Sequence, residues 1–407
     1  MTVEEVHREH YGRILATVIR LVGDFDRAEE AVQEAFAVAV ESWAIGGAPQ
    51  NPAAWLVSTA RHKAIDQIRR DARRDARREE LERHLRGRAG EEPPEEEDRL
   101  RLVFTCCHPA LAPEARVALT LRTLCGLTTE EIARAFVVPV PTLAQRLVRA
   151  KAKIRDAGIA YLVPAGDALP ERLSTVMAVV YLVFNEGYSA SFGPALLRGE
   201  LSREAIRLGR MLVELMPSSP EVKGLLALML LHDARRATRV DASGLPLTLE
   251  EQDRALWDRG QIAEGARLVE AALRASAPGP YALQAAIAAL HAQAPRAAET
   301  DWPQIASLYG LLVRIHPTPV VELNFAVAVA MADGPQRGLD LLERIAGRGE
   351  LQRYHLLPAA QADLLRRLGR AGDAAAAYRR ALALVTNDAE RRYLEKRLAE
   401  TAAVSRA

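Results

Sequence analysis

The stretch LTTEEIARAFVVPVPTLAQRLVRAKAKIR, residues 127–155, contains two helical patterns separated by two prolines. Thr128 or Thr129 can cap the first helix, because a threonine side chain accepts a hydrogen bond from the backbone of the first turn. Pro139 and Pro141 stand where the chain must turn and restart, and proline is tolerated in a first helical turn. The segment therefore predicts a helix-turn-helix.

The second helix of this motif separates apolar from charged side chains. Its predicted buried face comprises Leu143, Leu147, Ala150 and Ile154. Its predicted outward face comprises Thr142, Gln145, Arg146, Arg149, Lys151, Lys153 and Arg155. Such a helix suits the major groove of DNA, where cations contact phosphates and polar groups of the first turns reach base edges. The alternative is an ordinary helical hairpin with a basic face, and the pattern favours DNA binding.

An acidic helical pattern followed by a basic one precedes this motif. Residues 26–43 carry apolar side chains at a 3–4 spacing, which predicts one buried face, and glutamates on the opposite face. A loop, IGGAPQNP, leads to a second pattern at residues 53–74, and residues 61–78 have a local net charge of +5. The two patterns predict one module with two differently charged surfaces. Two amphipathic helices with solvated charge are the alternative.

Composition shifts divide the chain into three blocks. The segment EEPPEEED, residues 91–98, cannot form a core, and we predict a linker over residues 79–98. Glycines and prolines of residues 158–170 mark a second break. The predicted blocks are therefore 1–78, 99–157 and 170–407. A polar stretch at residues 235–249 predicts a loop inside the third block.

The ordered motifs DRAEEAVQEAF, PAAWLVSTARHKAIDQIRR, the acidic linker and the helix-turn-helix resemble the two conserved domains of extracytoplasmic-function (ECF) sigma factors of the sigma-70 class. The resemblance spans roughly residues 5–157. It implies a subunit that binds the core of bacterial RNA polymerase and directs it to promoter DNA. Residues 1–78 then correspond to sigma region 2 and residues 99–157 to sigma region 4.

The resemblance also implies three contact surfaces. Core polymerase binding is implied for Asp26, Glu30, Gln33, Glu34 and Phe36. Capture of the −10 element, with the first two residues on an extruded base, is implied for Gln50, Asn51, Trp55, Arg61, Lys63, Arg69 and Arg70. Recognition of the −35 element is implied for Thr142, Gln145, Arg146, Arg149, Lys151 and Lys153. Promoter melting requires polar groups that hold flipped bases and cations that follow the phosphates, and these residue types supply both.

The third block contains an internal repeat. Ala205, Gly209, Leu212 and Pro217 have the spacing of the second helix of a tetratricopeptide repeat, and the same spacing recurs from Ile305 through Tyr309 and Leu312 to Pro317. The steps from Tyr309 to Leu342 to Tyr378 are 33 and 36 residues, close to the 34-residue period. We therefore expect an all-α protein, with two small helical domains followed by a tetratricopeptide-like solenoid.

Polar clusters interrupt the solenoid pattern. A contact surface for a protein or a small ligand is predicted at Asn185, His232, Asp233, Arg235, Arg236, Asp253, Arg254, Trp257 and Trp302. The alternative is structural, with Asp and Arg side chains paired across repeats and the tryptophans in the core. The resemblance extends here to a subgroup of ECF sigma factors with a C-terminal extension. Together with the short connection after residue 157, it leads us to expect that this block regulates activity in cis.

Composition excludes several classes of protein. Lys and Arg total 54 against 53 for Asp and Glu, so a DNA-binding surface requires local segregation of charge. The three cysteines cannot form a disulfide framework, and the apolar runs are too short for a membrane span. We expect a cytoplasmic protein without membrane partner, cofactor or catalytic residues. The sequence Cys106-Cys107-His108 cannot surround a tetrahedral metal ion, so we predict buried thiols and no metal site.

The sequence is consistent with two functions. The leading hypothesis is an alternative sigma factor controlled in cis by its C-terminal block. The other is a helix-turn-helix regulator joined to a tetratricopeptide sensor, with no role as a polymerase subunit. Only a sigma factor requires both the acidic helix and the basic helix that precede the helix-turn-helix.

Overall fold

The computed structural model describes residues 2–71, 95–136, 138–191, 193–274 and 277–404. Within these ranges the regular structure consists of helices, and the only β-type pairs are two isolated bridges. The expected all-α fold is confirmed. By contacts the chain divides into two compact units, residues 1–182 and residues 183–407.

The α-helices of the described residues follow one another along the whole chain. They are α1 (Val3–Val22), α2 (Phe25–Gly46), α3 (Pro52–Asp71), α4 (Glu95–Cys106), α5 (Pro113–Thr123), α6 (Thr129–Ala135), α7 (Val140–Asp156), α8 (Ala168–Tyr188), α9 (Gly199–Leu215), α10 (Pro220–Asp233), α11 (Arg259–Leu273), α12 (Pro280–Gln293), α13 (Trp302–Ile315), α14 (Pro319–Asp333), α15 (Pro335–Arg348), α16 (Leu356–Arg367), α17 (Ala371–Leu384) and α18 (Asp388–Val404).

Helices α1 to α3 pack against one another at the start of the first unit. The Thr2 and Glu5 side chains form a reciprocal capping box at the start of α1. Gly23 ends α1 with a φ of 73°, a conformation that glycine adopts at little cost. Asp24 follows at once and caps α2, because its carboxylate accepts a hydrogen bond from the Arg27 backbone at 2.9 Å. Two adjacent residues therefore fix the turn between α1 and α2.

Helices α4 to α7 complete the helical core of the first unit. α7 packs on α5 and α6, and α4 packs on α1. Gly12 of α1 lies so close to α5 that an added Cβ atom would approach the carbonyl oxygen of Leu124 to 2.7 Å. The domain that contains the helix-turn-helix therefore packs directly against α1.

The structure corrects two predicted boundaries. Helix α4 begins at Glu95, inside the predicted linker 79–98, and Asp98 is buried there with 1% exposure. Arg20 of α1 makes this burial tolerable, because its Nε lies 2.7 Å from the Asp98 carboxylate. The predicted break at 158–170 also ends early, since α8 begins at Ala168. Residues 72–94, which contain the rest of the predicted linker, lie outside the described residues.

The second unit is built from consecutive helix pairs, with each helix from α9 to α18 packed against the next one. Helix α10 also contacts α12, two elements further on, as expected where helical hairpins stack. Glycine permits close packing: a Cβ atom at Gly224 of α10 would lie 2.5 Å from the backbone nitrogen of Ala282 of α12. The positions Ala205, Leu212 and Leu342 of the predicted repeat are buried, as a repeated core requires.

Candidate nucleic-acid interface

Helix α7 presents a polar face between its buried positions. Pro139 precedes its first turn and Pro141 lies within that turn, so the prolines remove no interior hydrogen bond. The predicted apolar face is buried at Leu143, Leu147, Ala150 and Ile154. The exposed side chains of the predicted −35 set are Thr142, Gln145, Arg149 and Lys153, whereas Arg146 is half-buried. The helix can therefore place two polar groups in its first turns and cations farther along.

Lys151 differs from its neighbours on α7. Its side chain is 17% exposed, and its Nζ lies 2.7 Å from Glu29 Oε2 and 3.1 Å from Asp26 Oδ1, both on α2. Burial by itself lowers the pKa of Lys151, but Glu29 and Asp26 outweigh burial and raise the pKa overall. In this arrangement the ammonium group is bound by protein carboxylates, so it is not free for phosphate.

The loop before α3 and its first turns carry the predicted −10 contacts. Gln50 and Asn51 are exposed, and the Asn51 side chain caps α3 through the Ala54 backbone at 3.1 Å. The half-buried Trp55 packs edge-on against Trp43 with ring centroids 5.5 Å apart. Lys63 lies 3.6 Å from Glu34 of α2. The other predicted −10 contacts also lie on α3. Arg61 is half-buried, and the side chains of Arg69 and Arg70 lie outside the described residues.

The predicted core-binding residues of α2 differ in how exposed their side chains are. Asp26, Glu30 and Gln33 are exposed, and Glu34 is half-buried, with its carboxylate accepting a hydrogen bond from Gln67 at 3.1 Å. Phe36 contradicts the prediction of a contact surface. It is 8% exposed because its ring packs against the rings of His7 and Tyr11 of α1.

Sequence reasoning missed Glu29 and Arg122 as a structural pair. Arg122 of α5 points its Nε at Glu29 Oε1 at 3.2 Å and donates from Nη1 to the Leu127 carbonyl at 3.1 Å. Periodicity identifies faces of a single helix, and these two residues are 93 positions apart in the chain. No local pattern could have indicated this pair.

The adjacent cysteines lie at the end of α4 as buried thiols, as predicted. Cys106 Sγ lies 3.1 Å from Thr123 Oγ1, and Cys107 Sγ lies 3.5 Å from Thr120 Oγ1. Burial raises the pKa of Cys107 to about 11, so the thiol stays protonated near neutral pH. Among the described residues no three His, Cys, Asp or Glu side chains meet as metal ligands would.

The predicted C-terminal contact surface is largely internal, which contradicts the prediction for four residues. Asp233, Arg235, Arg254 and Trp257 are buried. Four of the others are half-buried, namely Asn185, His232, Arg236 and Trp302. Asp253 is exposed. The structural alternative describes this cluster better, because the charged side chains find partners inside the second unit.

Internal hydrogen bonds explain why these arginines are buried. Arg254 donates from Nη1 to the carbonyls of His291 and Ala294 at 2.6 and 2.7 Å, and its guanidinium lies 4.6 Å from the centre of the Trp257 ring. Arg235 donates to the Tyr188 hydroxyl at 2.6 Å. Carbonyls and ring faces thus stabilise cations that seemed suited to a partner.

A cavity of about 430 Å³ lies elsewhere in the second unit, and Trp302 is the predicted contact residue that lines it. Its wall also contains Met331 and Tyr378, together with Arg366 and Arg367 of α16. Asp363 pairs with both arginines at 2.8 Å. Sequence analysis did not identify this cavity, because its lining comes from five helices and a loop.

Among the described residues, none of the helices has the length and apolar character that crossing a bilayer requires.

Comparisons with known proteins agree with the order of these elements. Sigma-70 region 2 matches residues 6–74, Sigma-70 region 4 matches residues 101–154, and a family of unknown function, DUF6596, matches residues 172–273. An uncharacterized protein of Rhizobium meliloti (strain 1021) is 43% identical over 396 residues, which cover 96% of this chain and 93% of the relative. No solved structure matches.

Proposed function

This chain belongs to the sigma-70 family, as an ECF-like sigma factor with a C-terminal extension, and on that premise we propose that it binds the RNA polymerase core and directs transcription from specific promoters. Part of the proposal is that residues 170–407 control this activity in cis. The observation that carries the proposal is the exposed polar face of α7, which lies in the same unit as the acidic helix α2 and the basic helix α3.

Recognition of the −35 element is assigned to the exposed face of α7. Thr142 and Gln145 lie in its first turns, from which a recognition helix reaches base edges. Arg149 and Lys153 follow one and two turns later, where cations meet the phosphates that fix the helix in the groove. The buried residues on the opposite face, from Leu143 to Ile154, fix the orientation of the helix.

Recognition of the −10 element is assigned to the loop before α3 and to α3 itself. Gln50 and Asn51 are exposed polar side chains at the start of the helix, suited to an extruded base. The cations Arg61, Lys63, Arg69 and Arg70 follow on α3 and suit the backbone of a single strand. Core binding is assigned to Asp26, Glu30, Gln33 and Glu34 of α2. Phe36 is left out because its ring is internal.

Run-off transcription with purified core polymerase and this protein alone tests the proposal. We expect initiation at a subset of promoters, and loss of initiation with the variant Arg149→Glu. The matched control is Arg379→Glu, on α17 in the second unit. Absence of both core binding and initiation would contradict the proposal. Binding to DNA without binding to core would instead indicate the helix-turn-helix regulator.

Control in cis is tested by truncation. The cut belongs after Leu182, the last residue of the first unit, because Arg172 of α8 donates to the Phe104 carbonyl of α4 at 2.6 Å. A cut at about residue 165 would remove this contact, so a change in transcription could then result from a less stable first unit instead of from lost regulation. We expect lower transcription with an unchanged helical fold of residues 1–182. Activity equal to that of the full chain under all conditions would show that residues 183–407, the part of the proposed regulatory block 170–407 that lies in the second unit, exert no control.

A further inference from the structure

The acidic helix α2 and the recognition helix α7 are assigned to different partners, yet in the structure they contact each other. We propose that this contact is autoinhibitory: carboxylates of α2 hold cations of α5 and α7 in a closed arrangement that withholds Lys151 from DNA and Asp26 from polymerase. This inference rests on the proposed function. It adds a switch inside the first unit that is separate from control by residues 183–407.

Four ion pairs define the closed contact. Glu29 is central, with Lys151 at 2.7 Å and Arg122 at 3.2 Å from its two carboxylate oxygens. Asp26 lies one turn earlier on α2, with Lys151 at 3.1 Å and Arg155 at 3.4 Å. Two carboxylates thus bind three cations that come from two helices of the helix-turn-helix domain.

Burial makes the Glu29 pairs strong and the Asp26 pairs weak. The Glu29 side chain is 9% exposed, and a carboxylate buried to that degree destabilises the fold unless cations neutralise it. Asp26 and Arg155 are 49% and 59% exposed, so water and salt screen their attraction. Glu29 therefore holds the contact together, whereas the pair of Asp26 and Arg155 is the one that a competing charge displaces first.

Backbone packing beside the ion pairs depends on two glycines. Gly12 of α1 allows α1 to reach the Leu124 carbonyl, which a Cβ atom would approach to 2.7 Å. Gly126, with a φ of 69°, leaves room for His7 and Tyr11, whose side-chain atoms would lie 3.3 Å from an added Cβ atom. The two domains therefore fit at the backbone level as well as through charge.

Charged partners can compete for the exposed members of these ion pairs. A cleft of about 310 Å³ lies beside the ion pairs, lined by Asp24, Asp26, Lys151, Arg155 and Tyr161 among others. DNA phosphates attract the cations and a basic polymerase surface attracts the carboxylates, so both partners favour the open arrangement. By linkage, each partner then raises the affinity for the other.

Distance measurements between two spin labels test the closed arrangement on the full chain. The labelling sites are Ser42→Cys on α2 and Val148→Cys on α7, because both positions are exposed. The native Cys106, Cys107 and Cys125 are buried and should not take the label. We expect one narrow distance distribution in the otherwise unchanged protein, and added distances outside it whenever the contact opens.

A steric variant tests the packing. Gly12→Val should block the approach of α1 to Leu124 and replace the narrow distance distribution by a broader one. The control is Gly46→Val at the end of α2, where nothing lies within 4 Å of an added Cβ atom. Circular dichroism checks that both variants keep their helices.

Charge variants test the ion pairs without a steric change. Lys151→Gln and Glu29→Gln should each raise the ratio of open to closed molecules about tenfold, which corresponds to about 1.4 kcal/mol. Their double variant should open the contact less than the product of the two effects, because both remove the same pair. The control Lys153→Gln removes an exposed cation of the same helix and should leave the distances unchanged.

Binding to promoter DNA in the absence of polymerase completes the test. Glu29→Gln should bind DNA several-fold more tightly, since it releases Lys151 without altering a residue assigned to DNA or polymerase. Unchanged distances in both Lys151→Gln and Glu29→Gln would overturn the proposal, as would opening without a gain in DNA affinity. Failure of the proposed function is a separate result, in which the contact opens as expected but the protein does not initiate transcription with core polymerase.

Discussion

Helix α7 and the segment from His232 to Trp257 were both predicted to contact partners, and they differ sharply in the structure. On α7 the polar residues Thr142, Gln145 and Arg149 are exposed. In the segment from the second unit, Asp233, Arg235, Arg254 and Trp257 are buried. A polar residue on an amphipathic helix of a small domain faces solvent, whereas a helix within a stack has neighbours on more than one side.

The buried residues Asp233, Arg235, Arg254 and Trp257 are compatible with this packing because each has a hydrogen-bond or ion-pair partner inside the second unit. Arg236 pairs with Asp233 at 3.4 Å, and Gln261 donates to the same carboxylate at 3.2 Å. A charge pattern alone therefore predicts a binding surface reliably only where one face of the helix lacks a neighbour. The four predictions below test this difference, from the largest expected effect to the smallest.

The largest effect is expected at Trp257. It is 2% exposed, and its Nε1 donates to Thr238 Oγ1 at 3.0 Å, so Trp257→Ala should lower the free energy of unfolding by about 3–5 kcal/mol. The neighbouring Leu256 is 63% exposed, and Leu256→Ala should change that free energy by less than about 0.5 kcal/mol. Urea denaturation of the full chain measures both. Equal losses would show that Trp257 is not a core residue.

On α7 the corresponding substitutions should change binding and leave stability alone. Gln145→Ala should alter discrimination at one base pair of the −35 element by about 1–3 kcal/mol. Arg149→Ala should weaken binding to all sequences alike and flatten the slope of log affinity against log salt by about 0.9. Fluorescence anisotropy with a panel of promoter sequences separates the two. An unchanged sequence preference for Gln145→Ala would remove it from the recognition set.

Acidification should affect the second unit through His291. Its burial and the nearby Arg235 and Arg254 lower its pKa to about 4, from about 6.5 in an unfolded chain. Because the unfolded state binds the proton more tightly, stability is complete above pH 6.5 and declines as the pH falls toward 4. We expect a loss on the order of 1–2 kcal/mol between pH 7 and pH 5.

Denaturation at both pH values tests this prediction. His291→Gln should reduce the dependence of stability on pH, whereas His316→Gln, at an exposed position, should not. Equal pH dependence in the original protein and in His291→Gln would show that another group causes the decline.

The smallest effect on stability is expected at Glu34 of α2. Its carboxylate is half-exposed and lies 3.6 Å from Lys63, so Glu34→Gln should change the free energy of unfolding by less than about 0.5 kcal/mol. Core-polymerase affinity should nevertheless fall, and it should fall further with Glu34→Lys, which reverses the charge. Normal core binding by both variants would remove Glu34 from the docking surface.

Much of the first unit could be predicted from local sequence patterns. The helix-turn-helix is confirmed, and its buried row lies where the 3–4 spacing predicts it, because one buried face repeats every 3.6 residues. Val40 shows the limit of this rule. It continues the apolar spacing of α2 and yet is 55% exposed, although Trp43, three residues later, packs against Trp55 of α3.

Patterns of charged residues predicted less well than patterns of apolar residues which side chains are buried and which are exposed. The segment EEPPEEED suggested a linker, but its last residue, Asp98, is buried against Arg20. The pKa of Asp98 is raised, because burial outweighs the attraction of Arg20 and Arg101. A run of acidic residues is therefore exposed to solvent only where no cation from a distant helix pairs with it.

The sequence by itself determined the helical fold, the helix-turn-helix and the family, because each depends on residues a few positions apart. The tertiary structure alone decided which charges are available. Glu29 meets Lys151 across 122 positions and Arg122 across 93, and Arg254 finds its carbonyl partners 37 and 40 residues away. The physical reason is that a charged side chain remains on the surface or becomes buried according to the partners near it in space, and chain order does not specify those partners.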